Sequence, residues 1–217
     1  MVATVFTDIL RDAEARGLKP GMTARARDWF REQAKNTRIS GPKLIAESSD
    51  SYKTNPHMGK MMFFRYNAKY KKKLPYWDMY PLVFPISRKK NRFWGFNMHY
   101  LQLPMRAALM DGLYRLATTT PTATKMTKVT KNTKLRTFPY ESYGKVDDLK
   151  FFSPTVNSYL LDQRYMKSPL VIIDPRYWDI ALFLPVQRFV GASQETVHRE
   201  SGESLGIKRY HPQKNDG

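Results

Sequence analysis

Between residues 58 and 101 the chain alternates aromatic-rich apolar runs with dense clusters of lysine and arginine, and this alternation limits the folds open to it. The runs are Met61-Met62-Phe63-Phe64-Arg65-Tyr66, Tyr80-Pro81-Leu82-Val83-Phe84-Pro85-Ile86 and Phe93-Trp94-Gly95-Phe96-Asn97-Met98-His99-Tyr100-Leu101. Short apolar runs rich in aromatic and β-branched residues, bounded by polar breaks, predict strands. The last two runs flank the basic segment 87–92, the arrangement of a hairpin. Proline cannot donate to a sheet ladder, so Pro81 and Pro85 predict that the second strand is an edge or carries a bulge. Three strands with short connections predict a small twisted antiparallel sheet or a half-open barrel.

The basic clusters are Lys69-Tyr70-Lys71-Lys72-Lys73 and Arg88-Lys89-Lys90-Asn91-Arg92. Residues 51–100 hold eleven Lys or Arg against one acid, Asp78, which concentrates +10 of the net +18 in this stretch. Residues 1–50 carry +2, 101–150 carry +5 and 151–217 carry +1. A folded segment tolerates such self-repulsion most easily beside a polyanion or an acidic partner. Nucleic acid is the commonest such partner, because neutralised phosphates release condensed counterions. The candidate phosphate contacts are Lys69, Lys71, Lys72, Lys73, Arg88, Lys89, Lys90 and Arg92. The competing reading is a solvated, solubilising face. Tyr76, Trp77, Phe93 and Trp94 beside the clusters can stack on unpaired bases, but their apolar neighbours favour core packing.

Helices flank this centre. Phe6, Ile9, Leu10 and Ala13 recur at helical spacing in a first helix ending near Gly17. Thr23 can cap a second, running to about Thr37, whose Arg27, Arg31, Lys35 and Arg38 form a basic stripe that Asp28 and Glu32 can pair with. A third helix starts near Pro104 with Met105, Ala108, Leu109, Gly112, Leu113 and Leu116 on its apolar face. Residues 39–59 read as a linker, Thr155 to Tyr165 as a helix, Leu170 to Ile173 as a buried strand, and Asp174-Pro175 as the opening of a helical turn carrying Trp178. The expected organisation is an α+β chain with extended terminal arms. It comprises a helical arm and linker over 1–57, a core over 58–193 and a polar tail over 194–217. Within the core lies an insertion at 118–136, where Thr124-Lys125, Thr127-Lys128, Thr130-Lys131 and Thr133-Lys134 repeat every three residues.

The catalytic inventory is thin. With no cysteine, disulfides and thiolate metal sites are ruled out. His57, His99, His198 and His211 are scattered, without metal-ligand spacing. His99, among Phe96, Met98, Tyr100 and Leu101, reads as a satisfied core or interface histidine. There is no glycine-rich phosphate loop, and Gly191-Ala192-Ser193 lacks the pattern of a nucleophile elbow. Asp147, Asp148 and Lys150 sit on a polar segment with no strand to hold a nuclease site. No run approaches the roughly 20 apolar residues of a membrane span, and Asp8, Arg11 and Asp12 interrupt any signal-peptide core. The expectation is a soluble intracellular chain that is not an enzyme and has no metal, cofactor, membrane or small-molecule substrate.

Several phrases resemble a known family. Gly59 to Tyr66 approximates G-x-M-x-F-x-Y with one residue extra, and Leu74-Pro75-Tyr76-Trp77-Asp78-x-Tyr80-Pro81-Leu82-Val83 follows. Then come Gly95-Phe96-Asn97-x-His99-Tyr100-Leu101 and Arg106-Ala107-x-Leu109-Met110-Asp111-x-Leu113. The last are Asp174-Pro175-x-Tyr177-Trp178-Asp179-x-Ala181-x-Phe183-Leu184-Pro185 and Phe189-x-Gly191-Ala192-Ser193. Over residues 58–201 the chain is similar to the DNA end protector, or head-completion, proteins of T-even-type tailed bacteriophages. The resemblance implies a virion protein, assembled in the host cytoplasm, whose partners are the phage double-stranded DNA and other virion proteins of the portal, neck, tail or baseplate. It also implies shielding of packaged DNA ends from host exonuclease. The alternative of another class is a structural adaptor of the neck, tail or baseplate with no direct DNA role.

Overall fold

In the computed structural model, which describes residues 4–19, 23–119 and 151–206, the central runs form the middle of a six-stranded antiparallel sheet. Its strands are β1 (Tyr52–Lys53), β2 (Met62–Phe63), β4 (Leu82–Lys89), β5 (Arg92–Asn97), β6 (Val156–Leu160) and β7 (Leu170–Ile172). Their spatial order is β1-β7-β2-β4-β5-β6, while β3 (Trp77–Asp78) and β8 (Phe189–Val190) pair separately. The fold is α+β. The sheet stays open, with β1 and β6 at opposite edges, so the half-open barrel does not form.

Both faces of the sheet are covered. Phe63, Leu82, Phe84, Phe96 and Val171 enter one apolar cluster with the helices, while Met62, Phe64, Val83, Phe93 and Leu170 form a second on the opposite face. Strands buried on both sides need apolar residues at successive positions, which is why these runs are unbroken rather than alternating. Contrary to the edge option, β4 lies inside the sheet between β2 and β5; the bulge option is what the structure adopts, between Pro85 and Ser87. The Pro85 carbonyl is met by the Gly59 N–H at 3.1 Å, on the side where β2 has already ended. The missing proline donor therefore breaks no ladder bond. Opposite Pro85 stands Gly95, where a β-carbon would lie 2.4 Å from Val83 Cγ1 and 2.5 Å from the Phe84 carbonyl oxygen.

Six α-helices flank the sheet among the described residues: α1 (Thr4–Ala15), α2 (Ala24–Lys35), α3 (Gly41–Ala46), α4 (Leu103–Thr119), α5 (Trp178–Phe183) and α6 (Gln194–Ser204). The first ends as its sequence predicts. Gly17 takes φ 68, and the Leu18 N–H reaches back to the Ala13 carbonyl at 2.9 Å, a Schellman closure. Thr23 caps α2 by accepting from the Ala26 N–H at 3.1 Å.

Four readings are corrected by packing. Residues 4–57 do not stand apart as an arm: Phe6, Ile9, Ala13, Phe30, Ala34, Leu44 and Ile45 are buried in the main cluster. The stretch taken for a linker contains α3, capped by Ser40 with Pro42 in its first turn, and the edge strand β1. Residues 156–160 form strand β6 rather than a helix, because Val, Asn, Ser and Tyr are poor helix formers and β5 offers a full ladder from Arg92↔Leu160 to Phe96↔Val156. The segment after Gly191 is α6, not a tail; it buries Val197, and Leu205 beyond it joins the main cluster. From residue 120 on, the Thr/Lys-rich insertion lies outside the described residues, as do residues 207–217 of the expected tail.

Trp178 is wholly buried, donates its indole N–H to the Ile173 carbonyl at 2.9 Å and meets the Phe84 ring edge-on at 4.9 Å. Trp178→Ala should cost about 3–5 kcal/mol through the cavity it opens, read as a fall in the denaturant midpoint. Because α1 and α2 belong to the core, their amides should exchange slowly in the dilute protein, as measured by hydrogen-exchange mass spectrometry. Rapid exchange there would restore the arm description.

Candidate nucleic-acid interface

The hairpin of β4 and β5 runs past the core. The register Arg88↔Phe93 and Lys89↔Arg92 leaves a two-residue turn, Lys90-Asn91, at its end. Such turns need a positive φ at the first central residue, and Lys90 adopts φ 51. A left-handed conformation costs a residue with a β-carbon roughly 1–2 kcal/mol, so the fold holds a cation at a position glycine would fill without strain. Arg88, Lys89, Lys90 and Arg92 are all exposed. Arg88 is steadied by Asn55, whose Oδ1 accepts from Nη2 at 3.0 Å. The Arg92 guanidinium lies 5.9 Å from the Trp94 ring centre.

The second cluster sits on the loop from Asn67 to Tyr76. Its start is tied down where the Tyr66 N–H donates to the Met79 carbonyl at 2.9 Å and the Asn67 N–H to the Tyr165 carbonyl at 2.8 Å. Its far side closes where the Lys73 and Leu74 N–H groups both reach the Tyr70 carbonyl, at 2.7 and 3.0 Å. Lys69, Lys71, Lys72 and Lys73 are exposed around this turn, together with two apolar side chains, Tyr70 at 55% and Leu74 at 42% exposure.

One residue of each cluster, Lys69 of the loop and Arg92 of the hairpin, borders a cleft of ≈ 290 Å³. Tyr66 and Tyr159, 5.1 Å apart and nearly perpendicular, are its most buried aromatic lining, and Tyr70, Tyr76, Trp77 and Tyr100 complete it. The Tyr66 hydroxyl accepts from the Leu160 N–H at 3.2 Å, satisfying one group of edge strand β6. Of the aromatics singled out by sequence, Tyr76 and Trp77 line this cleft, whereas Phe93 is wholly buried in the core. Sequence reasoning missed Tyr66, Tyr100 and Tyr159 as cleft residues; a strand reading of 156–160, suggested by its Val and Tyr, would have put Tyr159 on a sheet face, where it pairs with Phe93. Near Lys69, Asp162 is held by Arg164 Nη2 at 2.6 Å, and this clamp, with Lys69 adding to it, brings its carboxyl down to about 2.

A buried polar cluster positions the cleft's inner wall. Asp78 is 3% exposed; its Oδ1 accepts from the Tyr80 N–H at 2.9 Å, and its Oδ2 meets Asn97 Nδ2 at 3.3 Å and His99 Nδ1 at 2.8 Å. Asn97 Nδ2 also contacts the Tyr159 hydroxyl at 3.0 Å. Arg106, wholly buried, donates to the carbonyls of Leu101 (2.8 Å), Leu182 (3.1 Å) and His99 (3.4 Å); burial draws its pKa down to about 10 although Asp78 opposes this. His99 is the core histidine its neighbours predicted. Burial disfavours its charged form although Asp78 opposes this, and its Nδ1 lies against the Asp78 carboxyl. Among the described residues no three His, Asp or Glu side chains converge as a metal centre requires. Asp147, Asp148, Lys150 and His211 lie outside the described residues.

The basic stripe of α2 is spent elsewhere. Arg31 is buried, donating from Nε to Asp179 Oδ1 at 3.1 Å and from Nη2 to Asp111 Oδ1 at 3.0 Å, and Arg27 Nε lies 3.4 Å from the same Asp111 oxygen. Lys35 pairs with Glu32 at 2.9 Å. This face is neither a phosphate track nor simply solvated; its centre joins α2 to α4 and α5.

His198 of α6 donates Nε2–H to the His99 carbonyl at 3.0 Å, and burial, aided by Arg106, lowers its pKa to about 4. An unfolded histidine titrates near 6.5, so between about pH 4 and 6.5 the unfolded state binds the extra proton. The stabilisation from His198 is therefore complete above about 6.5 and is lost as pH falls toward 4. The stability advantage of the wild type over His198→Gln should shrink across this window, measured by denaturant unfolding at a series of pH values.

Comparison with known proteins agrees with the resemblance. No curated protein and no solved structure matches the chain. One family model, described as phage T4 terminal DNA protecting protein, matches residues 5–200, a span that takes in every α-helix but the first residue of α1 and the last turn of α6, and the whole of both sheets. The chain belongs to the phage T4 terminal DNA protecting protein family.

Proposed function

We propose that this protein binds the ends of the phage genome within the virion and shields them from host exonuclease, completing the head or neck, and that it acts by occupancy rather than by catalysis. The observation that carries this reading is that Lys69 and Arg92, one from each basic cluster, border one aromatic cleft, while Lys71, Lys72, Lys73, Arg88, Lys89 and Lys90 are exposed on the same two segments. The two clusters come from separate stretches of chain, and a structural role for either would not require them to meet. Counterion release makes such a surface a sequence-independent binder of duplex DNA. Its cations position the phosphates, and the family description supplies the terminal location. The buried Asp78–His99 pair supports occupancy over catalysis, because both side chains are sealed from solvent and face each other at 2.8 Å.

A second reading rests on Tyr70 and Leu74, whose exposed apolar surface on the basic loop suits a docking contact with another virion protein of the neck, tail or baseplate. Salt separates the two. DNA affinity through phosphates falls steeply with ionic strength, whereas an apolar protein interface persists at roughly 0.5 M salt. Lys72→Glu with Lys89→Glu should weaken binding to all duplex sequences alike and flatten the log–log salt slope by about 2. The same pair should expose linear DNA to exonuclease in a protection assay. An unchanged slope would move the DNA site elsewhere on the protein.

A further inference from the structure

A base offers a face for stacking only where a neighbouring base does not already cover it. Inside an intact duplex each pair is covered on both sides, and uncovering one means flipping a nucleotide out of the helix. At an end, the last pair has one bare face. A terminal nucleotide stacks on one side only, so an aromatic cleft too small for a duplex captures a base at lower cost at an end than in the interior. The cleft here has two cations at its border and tyrosines within.

We propose that this cleft holds the terminal nucleotide of a DNA end, its base stacked on Tyr70 and Tyr76 and its phosphate between Lys69 and Arg92, so that the protein distinguishes an end from interior duplex. The proposal rests on the reading that the basic face binds DNA. Its size fits: ≈ 290 Å³ lies just under the roughly 300–1,000 Å³ of small-molecule sites, on the scale of one nucleotide and not of a duplex. Its charge fits as well. Lys69 Nζ lies 5.2 Å from the Tyr70 ring centre, so a cation is held beside a stacking surface. The one acid lining the cleft, Asp78, is already engaged by the Tyr80 N–H, Asn97 and His99. Tyr70, 55% exposed, stands outside both core clusters, so core packing does not account for its position.

The test compares the full-length protein on a linear duplex and on a covalently closed circle of the same sequence, with 2-aminopurine placed either at the terminal position or in the interior. Wild-type protein should bind the linear form more tightly and quench only the terminal probe. Tyr70→Ala should abolish the quenching and reduce the preference for ends on the order of tenfold, with thermal stability unchanged. Tyr70→Phe, which keeps the ring, should behave as wild type. Equal wild-type affinity for line and circle, or terminal quenching that survives Tyr70→Ala, would overturn the cleft assignment and leave general DNA binding standing. Failure to bind either DNA would overturn both.

Discussion

The buried carboxylate of Asp78 joins parts of the chain that are far apart in sequence. It draws together the Tyr80 backbone, Asn97 at the end of β5 and His99 just beyond it, while Asn97 extends the contact to Tyr159 of β6. An isolated charge in an apolar interior is prohibitively unfavourable, so such a group persists only when its lone pairs are filled and an opposite charge is near. Arg106 supplies that charge, and its three nitrogens each donate to a carbonyl, of Leu101, Leu182 and His99. Losing any member would strand the others, which makes the cluster a rigid reference point for what surrounds it. Tyr76, Trp77 and Tyr100, which line the cleft, are its immediate chain neighbours.

A second cluster does the same for the helices. Arg31 of α2 reaches Asp179 of α5 and Asp111 of α4, with Asp28 beside it. Burial holds the Asp179 carboxyl up at about 6 despite the neighbouring Arg31. The phrases by which the sequence resembles its family are largely the ones that carry these residues. Asp78 closes Leu-Pro-Tyr-Trp-Asp, Asn97 and His99 lie in Gly-Phe-Asn-x-His-Tyr-Leu, Arg106 and Asp111 share the next phrase, and Asp179 follows Trp178. Apolar core residues can be exchanged for others of similar volume, but a buried ionic partner cannot be removed alone without a large penalty. A recognisable motif is what that constraint leaves in a sequence.

The same rigidity bears on the basic face. A loop bearing four lysines and a hairpin end bearing four cations repel each other, and Lys69 and Arg92 still border one cleft because each segment is anchored on its apolar side. Phe93 and Tyr159 stack at 5.2 Å beneath the hairpin, and Tyr66 joins them from the start of the loop. The cations themselves take no part in the core. The electrostatic cost of gathering them is met by the packing of the second sheet face, and it falls when a polyanion is bound.

Much of the secondary structure was legible locally, because its causes are local. The basic segment 87–92 between two apolar runs marked the hairpin, Gly17 and Thr23 marked helix ends, Pro81 and Pro85 marked an edge or a bulge, and Asp174-Pro175 opened the turn that carries Trp178. The misreadings fell where a distant partner decides. Val156 and Leu160 are four residues apart and mimic a helix face, yet the open edge of β5 makes the segment a strand. The α2 arginines look like a surface stripe until Asp111 and Asp179, some 80 and 148 residues further on, take up Arg31. The sequence by itself determined which residues are charged, which strands and helices their neighbours favour, and that the positive charge lies in the middle of the chain. Only the tertiary structure decided that Lys69 and Arg92 share a cleft, and that Tyr66 and Tyr159 line it. Local propensity acts over a few residues, whereas side chains from separate stretches meet only once the sheet has set its strand order and register.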